Sequence, residues 1–320
     1  MRVLVTGACG FVGHYLANVL RKAGHEVLGT VFELEGKHYP QQTEFQTTSL
    51  DITNSEACQQ LVQEFSPEVV YHLAGIAFAP LAAREFDRAM AVNVNGVYRL
   101  CEALPEGSTF VLASSGEVYG KVELSDLPLD ESFEAKPANP YSLTKLLAEN
   151  VVSYAARKRL LKGYVLRPFN HIGPGQAESF VAASFAAQLA RIALGLQQPV
   201  IRVGNLEAER DFMDVRDVVR AYQLVLGAPP GTYNLSSGTS VSIQALLDIL
   251  IDISGIDVRI EQDPDRMRPS EVREVRGSFE RSLKAFGWKP EIDIETSLRD
   301  IYSYWLSRLT IEKANSYRDQ

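Results

Sequence analysis

Short apolar runs alternate with amphipathic stretches through the first half of the chain. The runs lack the polar alternation of a half-exposed strand, which is typical of strands buried on both faces of a parallel sheet. The stretches between them carry apolar residues at helical spacing and are bounded by capping residues or glycine. The predicted strands are Arg2–Val5, Glu26–Phe32, Val69–Leu73, Thr109–Ala113 and Tyr164–Arg167, and the predicted helices are His14–Ala23, 53–65, Ala82–Ala103 and Pro140–Leu160.

This alternation of strands and helices predicts an α/β fold with a Rossmann-type, doubly wound parallel sheet. Right-handed crossovers then bring ligands to the carboxyl ends of the strands. After residue 168 the pattern loosens, and an arginine-rich stretch follows at 263–276. We therefore predict a dinucleotide-binding domain over residues 1–168, with segments of the second half interleaved. A smaller C-terminal α/β domain over residues 169–320 is predicted to bind the substrate.

Three glycines lie between the first strand and the first helix, at Gly7, Gly10 and Gly13. The first permits a tight turn, the second lets the backbone approach a pyrophosphate, and the third lets the helix pack on the sheet. The free amides of the helix start, which include Phe11 and Val12, favour negative charge. The loop therefore predicts a bound dinucleotide.

Further cofactor contacts are predicted at other strand ends. An aspartate after the third strand is placed to accept a hydrogen bond from the adenine amino group, and small residues after the fourth strand leave room for a ribose. These residues are Asp51 and Ile52, then Leu73, Ala74 and Gly75. Glu33 lies just past the second strand, and no arginine stands beside it to hold a 2′-phosphate. The sequence leaves NADP and NAD both open.

Tyr141 and Lys145 are four residues apart at the start of a predicted helix, so their side chains share one face. A nearby ammonium is expected to lower the pKa of the phenol, so that Tyr141 can exchange a proton near neutral pH. Ser115 follows the neighbouring strand, where its hydroxyl can bond the oxygen that gains or loses hydride. These three residues predict hydride transfer. Tyr141 and Lys145 are also predicted to contact the cofactor, since Lys145 can reach a nicotinamide ribose. His72 is interpreted as a core histidine.

Composition narrows the range of partners. The chain has 320 residues, a net charge of −8 and three cysteines without a CxxC spacing. The acidic balance argues against general binding of nucleic acid, and the cysteines indicate neither a metal site nor a disulfide framework. No apolar run is long enough to span a bilayer, and no signal peptide precedes the first strand. We therefore expect a cytoplasmic protein without membrane partners.

The glycine loop, Asp51, Ser115 and the Tyr141–Lys145 pair together resemble the extended short-chain dehydrogenase/reductases, over nearly the whole chain. The resemblance implies that Ser, Tyr and Lys are catalytic. It also implies a structural and proton-relay role for Asn93 and a cofactor contact at Pro168. Members commonly form homodimers through two helices per subunit, for which Ala82–Ala103 and Pro140–Leu160 are the candidates here.

Three segments of the second half resemble the GDP-mannose branch of this family: 167–175, 203–212 and 268–272. The resemblance implies that Asn170 and Arg210 contact a GDP-sugar, while Arg268 and Glu271 hold its diphosphate and ribose. Arg191 matches a basic position that also reaches phosphate. Converging arginines suit a pyrophosphate on physical grounds as well.

Two activities of this branch remain open. A reductase converts the C4 ketone of GDP-4-dehydro-6-deoxy-D-mannose to GDP-D-rhamnose, and a GDP-mannose 4,6-dehydratase makes that ketone. The dehydratase needs a further base and acid, for which Glu117 is a candidate, but residue 116 is glycine here. The segment after Phe32 is also shorter than in dehydratases of the branch. The reductase is therefore favoured; a sugar-nucleotide epimerase and a non-catalytic dinucleotide sensor are the further alternatives.

Overall fold

The computed structural model describes residues 1–32, 43–266 and 272–316. The strands of these residues are β1 (Arg2–Thr6), β2 (Glu26–Val31), β3 (Gln46–Ser49), β4 (Val69–His72), β5 (Thr109–Ala113), β6 (Lys162–Pro168), β7 (Asn170–Ile172), β8 (Val200–Val203), β9 (Glu209–Arg210), β10 (Phe212–Asp214), β11 (Gly231–Leu235), β12 (Val241–Ser242), β13 (Arg259–Gln262) and β14 (Glu274–Val275). The helices are α1 (Phe11–Lys22), α2 (Ser55–Phe65), α3 (Ala79–Arg84), α4 (Phe86–Met90), α5 (Gly96–Ala103), α6 (Pro140–Arg159), α7 (Val181–Ala193), α8 (Val215–Leu224), α9 (Ile243–Ser254), α10 (Glu280–Phe286) and α11 (Ile294–Ser316).

Seven parallel strands of the described chain form one sheet in the order β3-β2-β1-β4-β5-β6-β11. The order reverses between β1 and β4, which is where ligands bind in doubly wound sheets. The predicted Rossmann-type fold is confirmed. Its central strands are apolar and buried on both faces, as in β4, where all four residues are buried.

The last strand of the sheet comes from the second half of the chain, because β11 pairs with β6. The second half also supplies α8, which packs against α1 and belongs to the same apolar core. A second core lies between α7, α9 and α11, with the small β13–β8 sheet at its edge. The two halves therefore share the cofactor-binding layer, while the second core belongs to the later part of the chain.

The predicted helix over Ala82–Ala103 is interrupted. Helix α3 ends at Arg84, α4 follows, and one turn of π-helix over Ala91–Asn95 leads into α5. The wide turn contains Asn93, whose amide bonds to groups on two other segments. These long-range bonds, which apolar spacing does not reveal, accompany the wide turn. Among the described residues, no helix is long and apolar enough to cross a membrane.

Candidate active site

The predicted cofactor and hydride-transfer residues lie near the carboxyl ends of the parallel strands. The glycine loop follows β1, the segment from Leu73 to Gly75 follows β4, Ser115 follows β5 and Asn170 follows β6. Parallel pairing brings these strand ends to one edge of the sheet. Helix α6 begins on the same side, since the side chains of Tyr141 and Ser115 are in hydrogen-bond contact.

The glycine loop has the geometry of a pyrophosphate cradle. Gly7 has a φ of +69°, and a Cβ there would lie 2.9 Å from the Ala74 amide nitrogen. A Cβ on Gly13 would lie 2.2 Å from the Gly7 carbonyl oxygen, so close packing of α1 requires glycine. Gly10 caps α1, and the first turn of this described helix carries no acidic residue. The first-turn amides of Phe11 and Val12 are thus placed for an anion, and the loop fits a dinucleotide.

Asp51 lies after β3, as predicted, and forms a turn that leads toward α2. Its Oδ1 accepts hydrogen bonds from the amide and the hydroxyl of Thr53, at 2.8 and 2.7 Å. The adjacent Ile52 is buried against Gly96 at the start of α5. The turn orients Asp51, and its role toward adenine stays a prediction. Glu33 lies outside the described residues.

Asn93 connects three parts of the site. Its Oδ1 accepts from the Ile76 amide at 2.8 Å, and its Nδ2 donates to the Ile76 carbonyl at 3.1 Å and to Thr144 Oγ1 at 3.0 Å. A Cβ on Gly75 would lie 3.0 Å from Asn93 Oδ1 and 3.6 Å from Lys145 Nζ. Asn93 therefore fixes the loop after β4 against α6, beside Lys145.

Tyr141 is 7% exposed and is the second residue of α6, which starts with a capping box formed by Asn139 and Ser142. Burial raises the pKa of its phenol, the Glu117 carboxylate raises it further, and the hydrogen bond to Ser115 opposes both effects. This differs from the expectation of a lowered pKa, because burial and the charge of Glu117 outweigh the hydrogen bond to Ser115. The phenol is protonated at neutral pH, which is the form that donates a proton.

Lys145 is equally buried, and its Nζ donates a hydrogen bond of 2.8 Å to the Ala113 carbonyl at the end of β5. Burial lowers the pKa of Lys145 to about 8, and the charge of Glu149 opposes that fall. The ammonium lies 5.9 Å from the centre of the Tyr141 ring. It is therefore placed to stabilise a phenolate that forms when Tyr141 gives up its proton.

His72 is buried in the core near Lys145, as predicted. It is buried, its Nδ1 is 2.8 Å from Thr6 Oγ1, and burial together with the charge of Lys145 lowers its pKa to about 3. The ring is therefore neutral over the physiological range and adds no charge to the site.

Glu117 and Gly116 follow Ser115 in one turn of 3-10 helix, Gly116–Tyr119. The exposed Glu117 carboxylate accepts from Asn139 Nδ2 at 3.1 Å and acts electrostatically on both Tyr141 and Arg210. A Cβ on Gly116 would lie 3.0 Å from the Phe169 ring. Packing therefore leaves little space for a larger side chain at residue 116.

Two of the predicted substrate contacts lie near this edge of the sheet. Asn170 is exposed at the start of β7, two residues after Pro168, the buried last residue of β6. Arg210 is half-buried on β9, where its Nη1 donates to the Glu209 carbonyl at 2.7 Å. Burial lowers its pKa, and the charge of Glu117 opposes this effect. The electrostatic contact with Glu117 brings Arg210 toward the hydride-transfer residues.

Arg191 is engaged elsewhere, on the last turn of α7. Its two terminal nitrogens donate to the Glu178 carboxylate at 2.6 Å each. A phosphate contact at Arg191 therefore requires this ion pair to open or to share its guanidinium. Arg268 and Glu271 lie outside the described residues.

A buried ion pair between Glu149 on α6 and Arg167 on β6 lies beneath the site and was not predicted from the sequence. A signal for Glu149 was present, because it follows Lys145 by four residues on the same helix face. No local signal links it to Arg167, because that contact depends on how α6 packs against the sheet.

Comparison with known proteins agrees with this geometry. A family model described as GDP-mannose 4,6 dehydratase matches residues 4–301. The chain belongs to this family. A GDP-6-deoxy-D-mannose reductase of Pseudomonas aeruginosa is 40% identical over 316 residues, which cover 97% of this chain and 99% of the relative. A GDP-mannose 4,6-dehydratase of Vibrio cholerae is 27% identical, with 92% of this chain and 91% of the relative covered.

Solved structures show the same fold. RMD from P. aeruginosa complexed with NADPH matches with a TM-score of 0.83 and 39% identity, over 96% of this chain and 99% of that one. A UDP-glucose 4-epimerase of Thermotoga maritima, solved with UDP-glucose, matches with a TM-score of 0.87 and 27% identity, over 97% and 100%. The predicted family is confirmed, and the relatives include both a reductase and an epimerase.

Proposed function

We propose that this protein is an NAD(P)H-dependent reductase of the C4 ketone of GDP-4-dehydro-6-deoxy-D-mannose, with GDP-D-rhamnose as product. The observation that carries the proposal is the contact between Ser115 and a buried, protonated Tyr141, with Lys145 on the same helix face, at the strand ends beside the glycine loop. The 40% identity to a GDP-6-deoxy-D-mannose reductase supports the same activity.

A reduced nicotinamide cofactor held at the glycine loop would supply the hydride that adds to C4 of the sugar. The carbonyl oxygen becomes an alkoxide and takes the phenolic proton of Tyr141. Ser115 donates a hydrogen bond to the same oxygen, and the Lys145 ammonium stabilises the resulting phenolate until solvent returns the proton. The first-turn amides of α1 would hold the pyrophosphate of the cofactor, and Asn93 keeps the loop after β4 in place beside Lys145.

The surroundings of Ser115 favour simple ketone reduction over dehydration. Dehydration also needs a base at C5 and an acid at C6 of the sugar, and Gly116 supplies neither. The Phe169 ring lies against Gly116 and leaves little room for an acid there. Glu117 is the one acidic group of the described residues that acts on Tyr141 electrostatically. We assign it a supporting role in orienting Asn139 and Arg210.

We propose that Asn170, Arg210, Arg268 and Glu271 bind the GDP-sugar, and that Arg191 joins them if it leaves Glu178. The part after residue 168 then acts as the substrate domain, except for β11 and α8, which belong to the cofactor-binding layer. Guanidinium groups suit a diphosphate because they bind its oxygens in pairs.

We also propose that the protein forms a homodimer through α5 and α6. These neighbouring helices present large apolar side chains to solvent: Tyr98 is 41% exposed, Leu143 37% and Tyr154 45%. Leu143 and Tyr154 are eleven residues apart and therefore share one helix face. Light scattering should give the mass of a dimer for the full chain and a smaller mass for Tyr154→Glu. A monomeric wild type would exclude this interface.

The activity is tested by two parallel incubations with product masses. We expect GDP-4-dehydro-6-deoxy-D-mannose to be reduced with oxidation of NADPH or NADH, and GDP-mannose with NADP to stay unchanged. A keto product from GDP-mannose would make the protein a dehydratase. Cofactor binding without turnover on any keto-sugar nucleotide would make it a sensor.

A further inference from the structure

A buried ion pair lies directly beneath the hydride-transfer residues. The Arg167 guanidinium donates from Nε to Glu149 Oε1 at 2.9 Å and from Nη2 to Oε2 at 2.7 Å. Both side chains are less than 10% exposed. A buried ion pair contributes little net stability, because desolvation of the charges offsets their attraction. Net stability therefore does not explain why this ion pair lies beneath the hydride-transfer residues.

The pair connects the elements that carry the active groups. Glu149 lies one helical turn after Lys145 on α6, and its Oε1 also accepts from the hydroxyl of Ser114, the residue before Ser115. The Arg167 guanidinium lies 4.9 Å from the centre of the Tyr119 ring. Tyr119 belongs to the 3-10 turn that Ser115 caps. Helix α6, the end of β5 and the turn after it are thus held by one pair of side chains.

Among the described groups that surround Lys145, Glu149 is the acidic one. On α6 the ammonium faces Tyr141 and Glu149, and from β5 it faces the Ala113 carbonyl. The β4 side contributes the neutral ring of His72, and the π-helical turn contributes the uncharged amide of Asn93.

The more distant charges act on other groups. Glu117, on the turn after β5, acts on Tyr141, while Arg167 on β6 is bound to Glu149. In the part of the chain that the structure describes, Glu149 is therefore the charge that favours the protonated form of Lys145.

We propose that Glu149 is a positioning residue of the hydride-transfer centre, acting through Lys145. With Arg167 it fixes the strand end that carries Ser115 against α6. Its negative charge keeps the Lys145 amine protonated at the pH where Tyr141 must donate its proton. The proposal rests on the proposed function, since a ketone reduction is the step that needs this protonated lysine.

The charge effect is measured on the full-length protein by NMR titration of lysines labelled with ¹³C at Cε, with Lys145 assigned from its absence in Lys145→Arg. We expect wild-type Lys145 to titrate near its pKa of about 8. In Glu149→Gln, we expect that value to fall by about one pH unit, as for loss of an opposite charge at close range. Glu149→Asp, which keeps the charge, should restore most of the difference.

A second variant covers the case in which unpaired Arg167 prevents folding. The double variant Glu149→Gln/Arg167→Gln leaves no buried unpaired charge, and Lys145 should again titrate below the wild-type value. A Lys145 titration unchanged in Glu149→Gln, or in the double variant if Glu149→Gln does not fold, would overturn the proposal.

Asp217→Asn is the matched control, because Asp217 is also a buried carboxylate paired with an arginine, Arg220, at 2.8 Å, but on α8. We expect it to lower the melting temperature without moving the Lys145 titration. A shift as large as that of Glu149→Gln would mean that general loosening of the fold moves Lys145, and the proposal would fail.

The pH profile of kcat/KM for ketone reduction gives the second readout. Its alkaline limb should move to lower pH in Glu149→Gln by the same amount as the Lys145 titration, whereas a purely structural role would lower the rate equally at every pH. If the wild type reduces no keto-sugar nucleotide, the proposed function fails, and the NMR titration still decides the role of Glu149.

Discussion

Tyr141 and Lys145 stand at the start of a 20-residue helix, whereas Arg210 stands on a strand of two residues. The first two side chains are buried and in contact with Ser115 and the Ala113 carbonyl. The Arg210 guanidinium is half-buried and bonds to backbone carbonyls, and Arg191 is engaged by Glu178. Groups on long, packed elements keep their geometry better than groups on short ones. The difference suggests that the proton-transfer side is preorganised, while the GDP-sugar side adjusts when substrate binds.

The largest effect is expected on the proton-transfer side, at Tyr141. Tyr141→Phe removes the proton donor and leaves the ring in place, so we expect kcat to fall by about 10²- to 10⁴-fold. Cofactor affinity, measured by fluorescence titration, should stay within about twofold, since the change removes one hydroxyl and leaves the glycine loop and Lys145 in place. Tyr302→Phe on α11 is the matched control and should keep wild-type turnover. A near-normal rate for Tyr141→Phe would remove Tyr141 from the mechanism.

Two alanine substitutions in the glycine loop distinguish its role in packing from its role in cofactor binding. Alanine at Gly13 would put its Cβ 2.2 Å from the Gly7 carbonyl oxygen, so Gly13→Ala should lower the melting temperature. At Gly10 the corresponding distance is 3.1 Å, a tight contact that a small shift can relieve, so Gly10→Ala should lower the melting temperature much less than Gly13→Ala. We expect the dissociation constant of the dinucleotide to rise about 10- to 100-fold in Gly10→Ala, from a steric cost of about 1–3 kcal/mol. Unaltered affinity would argue against a pyrophosphate over residue 10.

Arg210 tests the substrate side. We expect Arg210→Gln to raise KM about 10- to 100-fold, because a charge-assisted hydrogen bond contributes about 1.5–3 kcal/mol. The value of kcat should change much less, which a steady-state analysis with saturating cofactor measures. Arg259→Gln on β13, an exposed arginine paired with Glu261, is the control. A fall in kcat with unchanged KM would place Arg210 in the chemical step.

The pH dependence of ketone reduction follows from Lys145. Because its pKa is lowered to about 8, its charge is present below that pH and is lost as the pH rises through it. We expect log(kcat/KM) to decline with a slope of about one per pH unit at higher pH, which a pH series at constant ionic strength measures. A rate that stays flat to pH 10 would show that Lys145 acts without its charge.

Glu117 should give the smallest effect. Its carboxylate is exposed and orients Asn139, so Glu117→Gln is expected to lower kcat/KM by less than about tenfold if the protein is a reductase. A loss comparable to that of Tyr141→Phe would indicate acid–base chemistry at this carboxylate and would revive the dehydratase interpretation.

The sheet and the glycine loop could be predicted from the sequence because their signals are local: buried strands read as apolar runs, and Gly7, Gly10 and Gly13 stand at fixed spacing. The helix start was misplaced, at His14 instead of Phe11, because Gly10 itself caps α1. The bonds of Asn93 and the partner of Arg191 depend on residues brought close only by folding. The raised pKa of Tyr141 was missed for the same reason, since burial is a property of the packed protein.

The central claim is that hydride passes from the reduced cofactor to C4 of the sugar. The most direct test supplies GDP-4-dehydro-6-deoxy-D-mannose with NADPH deuterated at the transferring position, and locates the label by NMR. We predict one deuterium on C4 of the product for each cofactor oxidised. Unlabelled product, label at another carbon or turnover without net oxidation of the cofactor would contradict the account.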